Sequence, residues 1–457
     1  MIKKNFASIA LAFGLSASFV FAEGEFSVTL DFSASALEVE NSGDTTDVDS
    51  FADSAFEDSE LSFSYEGEKF GGVVTLGLPD ANSHINMSED DLITSLSFSE
   101  LYAWIKPFGE IVKFTAGVFE NTDGIADYTD DIDDFGVGVF MLGEEGDAFA
   151  EPMKYSNAAL VDGFLTDLYF GPATVQLLFG PNLSKKHMAS DIFGDELMVA
   201  ALAANIQDFS IEDRQYRIGA RVFAEFEEVG TFALMFKTFQ WPKAVMEKVF
   251  LFALGGDQTE FVALYPNGLP GDFMNYHNFG AYADITAIEN LGIMLGYTGF
   301  VFANSDSNVN SPLFHGVDLR AAWTGVEGLS LSTHNNVSFA AGSADEWNLL
   351  ETIGEGNSFL NLYNAIGATK TMTDTLSINA QIGNILSKIS ADDQSSTTLT
   401  TSTRDEFWAE AKLIASVTED VQFKVGLKLA IVNDDEFGSE ATTTTTFSIP
   451  VGISVSF

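Results

Sequence analysis

The sequence predicts an all-β fold, a single transmembrane antiparallel up-and-down β-barrel of about eighteen strands, and three observations predict it. First, residues 447–457 alternate without interruption: Phe447, Ile449, Val451, Ile453, Val455 and Phe457 are apolar, and Ser448, Pro450, Gly452, Ser454 and Ser456 between them are small. Successive strand side chains point to opposite faces, so this segment has one apolar and one small, polar face. Its length suits the ~9–11 tilted residues that cross a bilayer as a strand. Second, the chain is 46% hydrophobic with 42 Phe, yet beyond residue 22 no run approaches the ~20 apolar residues of a membrane helix. Apolar residues dispersed at period two are how a spanning barrel carries its hydrophobicity. Third, tight turns alternate with long polar connectors, which is the asymmetry between the two rims of such a barrel.

The same alternation runs through the chain in order. Phe26, Val28, Leu30 and Phe32 open a first strand over 26–36, followed by an acidic connector over 38–58. Strands follow over 61–65 and 74–78, then 92–105 and 111–119 joined by Lys106-Pro107-Phe108-Gly109. Further hairpins pair 164–170 with 174–179 across Gly171-Pro172, and 216–226 with 232–236 across 227–230. The remaining pairs are 279–285 with 291–301, 317–323 with 329–339, 360–368 with 376–382, and 407–417 with 421–431, before the closing strand. The count is eighteen, and an even number returns both ends to one rim. It becomes sixteen or twenty if ambiguous apolar stretches such as 135–142 and the Ala-rich 197–209 are counted otherwise; both are assigned to loops. Closure is obligatory, because unpaired sheet edges cannot sit in hydrocarbon. Pro450 cannot donate to a ladder, so a bulge or a lost hydrogen bond is expected beside it.

Four connectors, 120–160, 181–213, 241–275 and 341–357, exceed the ~12–15 residues of ordinary loops. The run 249–254 (VFLFAL) gains nothing by facing water and is expected either to fold inward, narrowing a channel, or to pack over the mouth. At the other end of the chain, Lys3 and Lys4, an apolar core over 6–15 and Val20-Phe21-Ala22 form a signal peptide over 1–22, leaving a barrel domain over 23–457. The formal net charge of −46 argues against nucleic-acid binding, and the richness in aromatic residues argues against disorder. Without Cys there is no disulfide framework and no thiolate metal site.

The aromatic-terminated closing strand resembles the C-terminal strand of bacterial outer-membrane β-barrels, and the segment LYAWIKPFG (101–109) resembles a periplasmic turn common among porin-like outer-membrane proteins. The resemblance implies an integral protein in the outer membrane of a two-membraned bacterium, exported by the Sec route and escorted by periplasmic chaperones. The barrel-assembly machinery would read Phe447, Ile449, Val451, Ile453, Val455 and Phe457. It also implies periplasmic short turns, external long loops and a passive, water-filled channel for small polar solutes and ions. A monomer and a homotrimer both fit the sequence.

Phase assigns the channel lining. Arg217, Arg221 and Glu225 alternate with lipid-facing Tyr216 and Val222; Asp318 and Arg320 alternate with Val317 and Leu319. Glu410, Lys412, Lys424 and Lys428 share the inward phase of the next hairpin, where a turn at 418–420 puts Glu410 opposite Lys428. A charge facing lipid near the midplane costs ~2–4 kcal/mol, so charge confined to one phase marks the wet face. The charges fit either opposed rows that filter solutes across the lumen or wall salt bridges that stabilise the barrel.

Residues 120–134 carry seven carboxylates, but without the Gly and terminal Glu of a calcium loop they imply a repelling outer surface rather than a metal site. Neither a nucleophile motif nor a phosphate loop occurs, and His334 near Ser332 and Ser338 reads as a lone wall histidine; no enzyme and no cofactor are expected. The alternatives are an outer-membrane transporter of hydrophobic molecules, resembling the fatty-acid channels, and an adhesin displayed on a barrel.

Overall fold

A computed structural model describes residues 24–42, 45–49, 52–55, 60–77, 97–121, 155–156, 163–181, 216–240, 276–302, 313–341, 358–392, 399–418, 421–435 and 441–456. The strands are β1 (Gly24–Ser42), β2 (Thr45–Asp49), β3 (Ala52–Ala55), β4 (Glu60–Glu66), β5 (Phe70–Gly77), β6 (Ser97–Ile105), β7 (Val112–Val118), β8 (Glu120–Asn121), β9 (Tyr155–Ser156), β10 (Gly163–Phe170) and β11 (Ala173–Pro181). They continue as β12 (Tyr216–Phe226), β13 (Gly230–Gln240), β14 (Tyr276–Ile288), β15 (Leu291–Phe302), β16 (Leu313–Val326), β17 (Leu329–Ala341), β18 (Ser358–Thr373), β19 (Leu376–Asp392), β20 (Leu399–Thr418), β21 (Val421–Asp435) and β22 (Thr442–Ser456). Among the described residues, β8 and β9 make a two-stranded sheet and the other strands form one 20-stranded antiparallel sheet.

That sheet returns on itself. Neighbours in sequence pair from β4 to β7 and from β10 to β22, and β7 joins β10. β1 then bridges the two ends, pairing with β22 along one edge and with β4 along the other. Because β2, β3 and β4 lie end to end beside β1, the wall has eighteen staves among the described residues, the number that the alternation predicts. With each described stave paired on both sides, no long edge is presented to lipid.

The acidic connector expected over 38–58 is partly strand. β1 continues to Ser42 and folds back through β2, with Glu38 opposite Asp49 and Glu40 opposite Asp47. Thr45 Oγ1 donates to the Ser42 carbonyl at 2.7 Å and Thr46 Oγ1 to Asn41 Oδ1 at 2.7 Å. The hairpin is held by backbone pairing and Thr hydroxyls against like charges facing each other across the ladder, which oppose it. The irregularity expected at Pro450 is present: between the pairs Ser35↔Pro450 and Glu38↔Ser448, β1 has one residue more than β22. Gly426 makes room there, since a Cβ at this position would meet Pro450 Cγ at 3.2 Å.

Short connections gather at one rim. Gly171 and Gly328 take left-handed φ values of 65° and 66°, and Asn290 takes 60°, as tight hairpin turns require. Each turn is tied to the next strand: Glu225 N–H donates to Pro172 O, Thr286 to Val229, Thr324 to Asn290, Thr371 to Gly328 and Ser416 to Thr375. Apart from Pro181 and Ala341, which end β11 and β17, the connectors 181–213, 241–275 and 341–357, most of 120–160, and the stretches 135–142, 197–209 and 1–22 lie outside the described residues.

Candidate functional site

The wall has two chemically distinct faces. Outward positions carry exposed apolar side chains, among them Leu234, Ile366, Ile382, Leu427 and Phe447, with Leu234 65% and Ile366 61% exposed. Apolar surface this extensive and continuous belongs against hydrocarbon. The intervening positions face inward and are buried: Asp167, Gln176, Arg221, Asp318, His334 and Asn361 are each 0% exposed. Aromatic rings lie flat on the inner wall over glycines: a Cβ on Gly71 would meet Trp104 at 2.6 Å, and one on Gly383 would meet Trp408 at 2.2 Å.

Among the described residues, three polar groups on the inner face hold most of the candidate lining side chains. Across β10, β11 and β12 the register aligns Asp167, Gln176 and Arg221, with Lys113 of β7 beside Asp167. Gln176 relays between the two charges: its Nε2 donates to Asp167 Oδ1 at 2.9 Å, and its Oε1 accepts from Arg221 Nε at 2.6 Å. The guanidinium lies 5.5 Å from the Phe223 ring centroid, in cation–π range.

On β16 and β17, Asp318 is the hub. It accepts from Arg320 Nε at 3.1 Å and Asn336 Nδ2 at 3.0 Å, and it bonds His334 Nε2 at 2.8 Å. Ser338 Oγ donates to Asn336 Oδ1 at 3.0 Å, and the His334 ring packs on Tyr363 with centroids 4.8 Å apart. A carboxylate out of water needs several donors, and three side chains supply them. His334 is therefore not the lone wall histidine that the sequence suggests.

The third group follows the closing hairpins. Glu410 and Lys428 are register partners, as the expected turn requires, and Lys412 Nζ lies 3.7 Å from Glu410 Oε2. Lys424 is half-buried two inward positions nearer the turn, and Ser448 is buried between Lys428 and Glu38 in the same cross-strand row.

Of the nine lining candidates, Arg221, Asp318, Arg320, Glu410, Lys412, Lys424 and Lys428 thus lie on the inner face. Glu225 has the inward phase but is exposed at the short-turn rim. The backbone of Arg217 pairs with Phe239, and its side chain lies outside the described ones. Opposite charges are neighbours on one stretch of wall, the arrangement of wall ion pairs. Phase alone missed Asp167, Gln176, Asn336 and Asn361, which share the parity of the charged positions. It also missed an inner apolar patch of Leu165, Leu178, Phe223, Met235, Tyr282 and Met294. His277 and His315 face outward near the long-loop rim, where they stack on Phe236 and Phe339. His84 and His187 lie outside the described residues. The closing strand keeps its expected phase, with Phe447 and Ile453 exposed and Ser448 buried; Phe457 lies outside the described residues.

A continuous antiparallel wall, apolar outside and hydrogen-bonded inside, defines a transmembrane up-and-down β-barrel. No protein-family model matches the chain, and no curated protein matches it. Among solved structures it is similar to the outer membrane protein OpdK of Pseudomonas aeruginosa, with 10% identity over 95% of this chain and 99% of that one and a TM-score of 0.44. It is also similar to the outer membrane channel DcaP of Acinetobacter baumannii (10% identity, 95% and 97% covered, TM-score 0.39). OmpT, an outer membrane protein of Vibrio cholerae folded in vitro, is similar at 8% identity, with 95% and 97% covered and a TM-score of 0.40. The class of the fold rests on strand pairing and the two faces of the wall, not on these likenesses.

Proposed function

We propose that the protein is an outer-membrane porin, a passive, water-filled channel for small hydrophilic solutes and ions, delivered by a Sec-type signal peptide over 1–22. The observation that carries this reading is the inner face. Asp167, Arg221, Asp318, Arg320, Glu406 and Glu410 sit there with Gln, Asn, Ser and Thr, while the outer face is apolar. Charged groups facing inward are what a conduit needs to exchange water for wall contacts along a polar path. An external loop folded inward completes the reading by narrowing the path; the apolar run 249–254 is the segment suited to it. Purified protein in a planar bilayer tests this: stepwise, ohmic conductance is expected, and its absence overturns the proposal. Arg221→Glu is expected to shift the reversal potential in a salt gradient toward cation preference.

A second reading has an observation of its own. The inner apolar patch around Leu165, Phe223 and Met235 suits a hydrophobic or amphipathic solute. A transporter of that kind is expected to be silent in the bilayer while binding a detergent-like fatty acid.

A further inference from the structure

We infer that the outer face of β17–β20 is the docking surface for a second copy of this chain, whatever passes through the lumen. Between the rims, the outward positions of β11–β16 are apolar, Leu177, Val222, Leu234 and Leu295 among them. At the same phase the next three strands carry amides. Asn335 of β17, Asn364 of β18 and Asn384 of β19 form one cross-strand row, with Leu319 at one end and Phe407 at the other. Apolar side chains flank the row along each strand: Leu331 and Val337 on β17, Leu362 and Ile366 on β18, Ile382 and Leu386 on β19. The amides therefore sit inside the apolar band and not at a rim.

Local bonds use only part of this row. Asn335 Nδ2 donates to Thr333 Oγ1 at 2.9 Å, and that hydroxyl donates to the Ala365 carbonyl at 3.0 Å. Asn384 Nδ2 donates to Asp405 Oδ1 at 2.7 Å. Asn364, the middle residue, is exposed and makes no side-chain hydrogen bond among the described residues. Hydrocarbon offers an amide nothing, so an unmet amide is costly there. A second copy answers at the same depth, because both copies insert in one orientation. A twofold axis along the membrane normal brings row against row, and an amide, with donors and acceptor together, is its own complement. Asparagine side chains bond between packed segments in this way within membranes. The wall beside the row also allows close approach. Toward the short turns, a groove of about 520 Å³ is floored by Ala368, Ala380, Ala409 and Ala411 between Ile382 and Leu427. Small residues are what let membrane segments pack closely.

The test is the full-length protein refolded into phosphatidylcholine vesicles, half of it carrying a donor dye at the N-terminus and half an acceptor. Energy transfer is followed as lipid dilutes the protein, and a dimer is expected. Asn364→Leu removes the amide while keeping the side-chain size. It should raise the protein-to-lipid ratio at half-association about three- to thirtyfold. Leu234→Ala, on the outer face of β13, should leave that ratio unchanged. Heat-modifiable migration on gels shows that each variant is folded, and Asn364→Ala replaces Asn364→Leu if the latter is not. A monomer at every dilution, or association that Asn364→Leu leaves untouched, overturns the proposal. Equal weakening by Leu234→Ala would mean crowding without a specific surface and overturns it too. A larger assembly that Asn364→Leu weakens keeps the surface and overturns its twofold pairing. Conductance bears on none of these outcomes, so the surface and the channel stand or fall separately.

Discussion

Asp318 Oδ2 lies 2.8 Å from His334 Nε2 on the inner wall while Asp318 Oδ1 accepts from Arg320 Nε at 3.1 Å, so one buried carboxylate holds two basic side chains on neighbouring strands. Removing the carboxylate takes an ion-pair partner from a guanidinium whose side chain is 3% exposed. Asp318→Ala is expected to cost about 3–5 kcal/mol, the usual consequence of breaking a buried pair on one side only. The check is the urea midpoint of the folded, heat-modifiable band on gels. A midpoint equal to that of the native protein removes the hub role.

Glu410 faces Lys428 across the ladder and also contacts Lys412. Glu410→Lys places three ammonium groups together and should lower stability. Glu410→Lys combined with Lys428→Glu should recover part of the loss, with a coupling of about 0.5–3 kcal/mol in a double-mutant cycle. Additive effects would mean that the pair does not interact.

Leu427 and Lys428 are adjacent in sequence and lie on opposite faces, Leu427 being 55% exposed toward the outside. Leu427→Arg should destabilise the membrane-inserted barrel by about 2–4 kcal/mol. Lys428→Arg, one residue on, should be nearly silent in the same assay of refolding into lipid vesicles. Similar costs at both positions would contradict the assigned sidedness.

Trp408 is 0% exposed and occupies the space above Gly383. Gly383→Val should displace the indole at a cost of about 1–3 kcal/mol from overpacking. A red shift in tryptophan emission is the expected signature, and unchanged emission would show that the ring does not rest there.

Strand existence and phase were legible because the apolar residues write them directly: the alternation of Tyr216 to Phe226 matches β12, and Pro450 announces the irregularity found beside it. The extensions were not legible. β18 runs on through Lys370 and Thr373, β20 begins at Leu399 among Thr and Ser, and β1–β2 pairs acidic residues, so no apolar period marks these parts. Backbone pairing holds them where side-chain hydrophobicity does not. The inner site was half legible. Charge at one parity finds Arg221, Asp318 and Glu410, but their partners Gln176, His334 and Lys428 come from three other strands. The pair Glu410 and Lys428 was foreseen because register across a short turn follows from counting, and the same counting sets Arg320 opposite His334 and Asp167 opposite Gln176; Gln176 and Arg221 meet across a long connector, which fixes no register. The inner patch of Leu165, Met235 and Met294 escaped because apolar residues at the inward phase look like noise in the alternation.

Single-cysteine labelling along β21 tests the central claim most directly, since the native chain has no Cys to confuse the readout. In vesicle-embedded protein, a charged, water-soluble thiol reagent is predicted to modify cysteines at Lys424 and Lys428. The same reagent should spare those at Phe423, Leu427 and Leu429, which a lipid-dissolved reagent should reach instead. Uniform reaction along the strand, or the reverse pattern, would contradict a wall with lipid on one side and a polar path on the other.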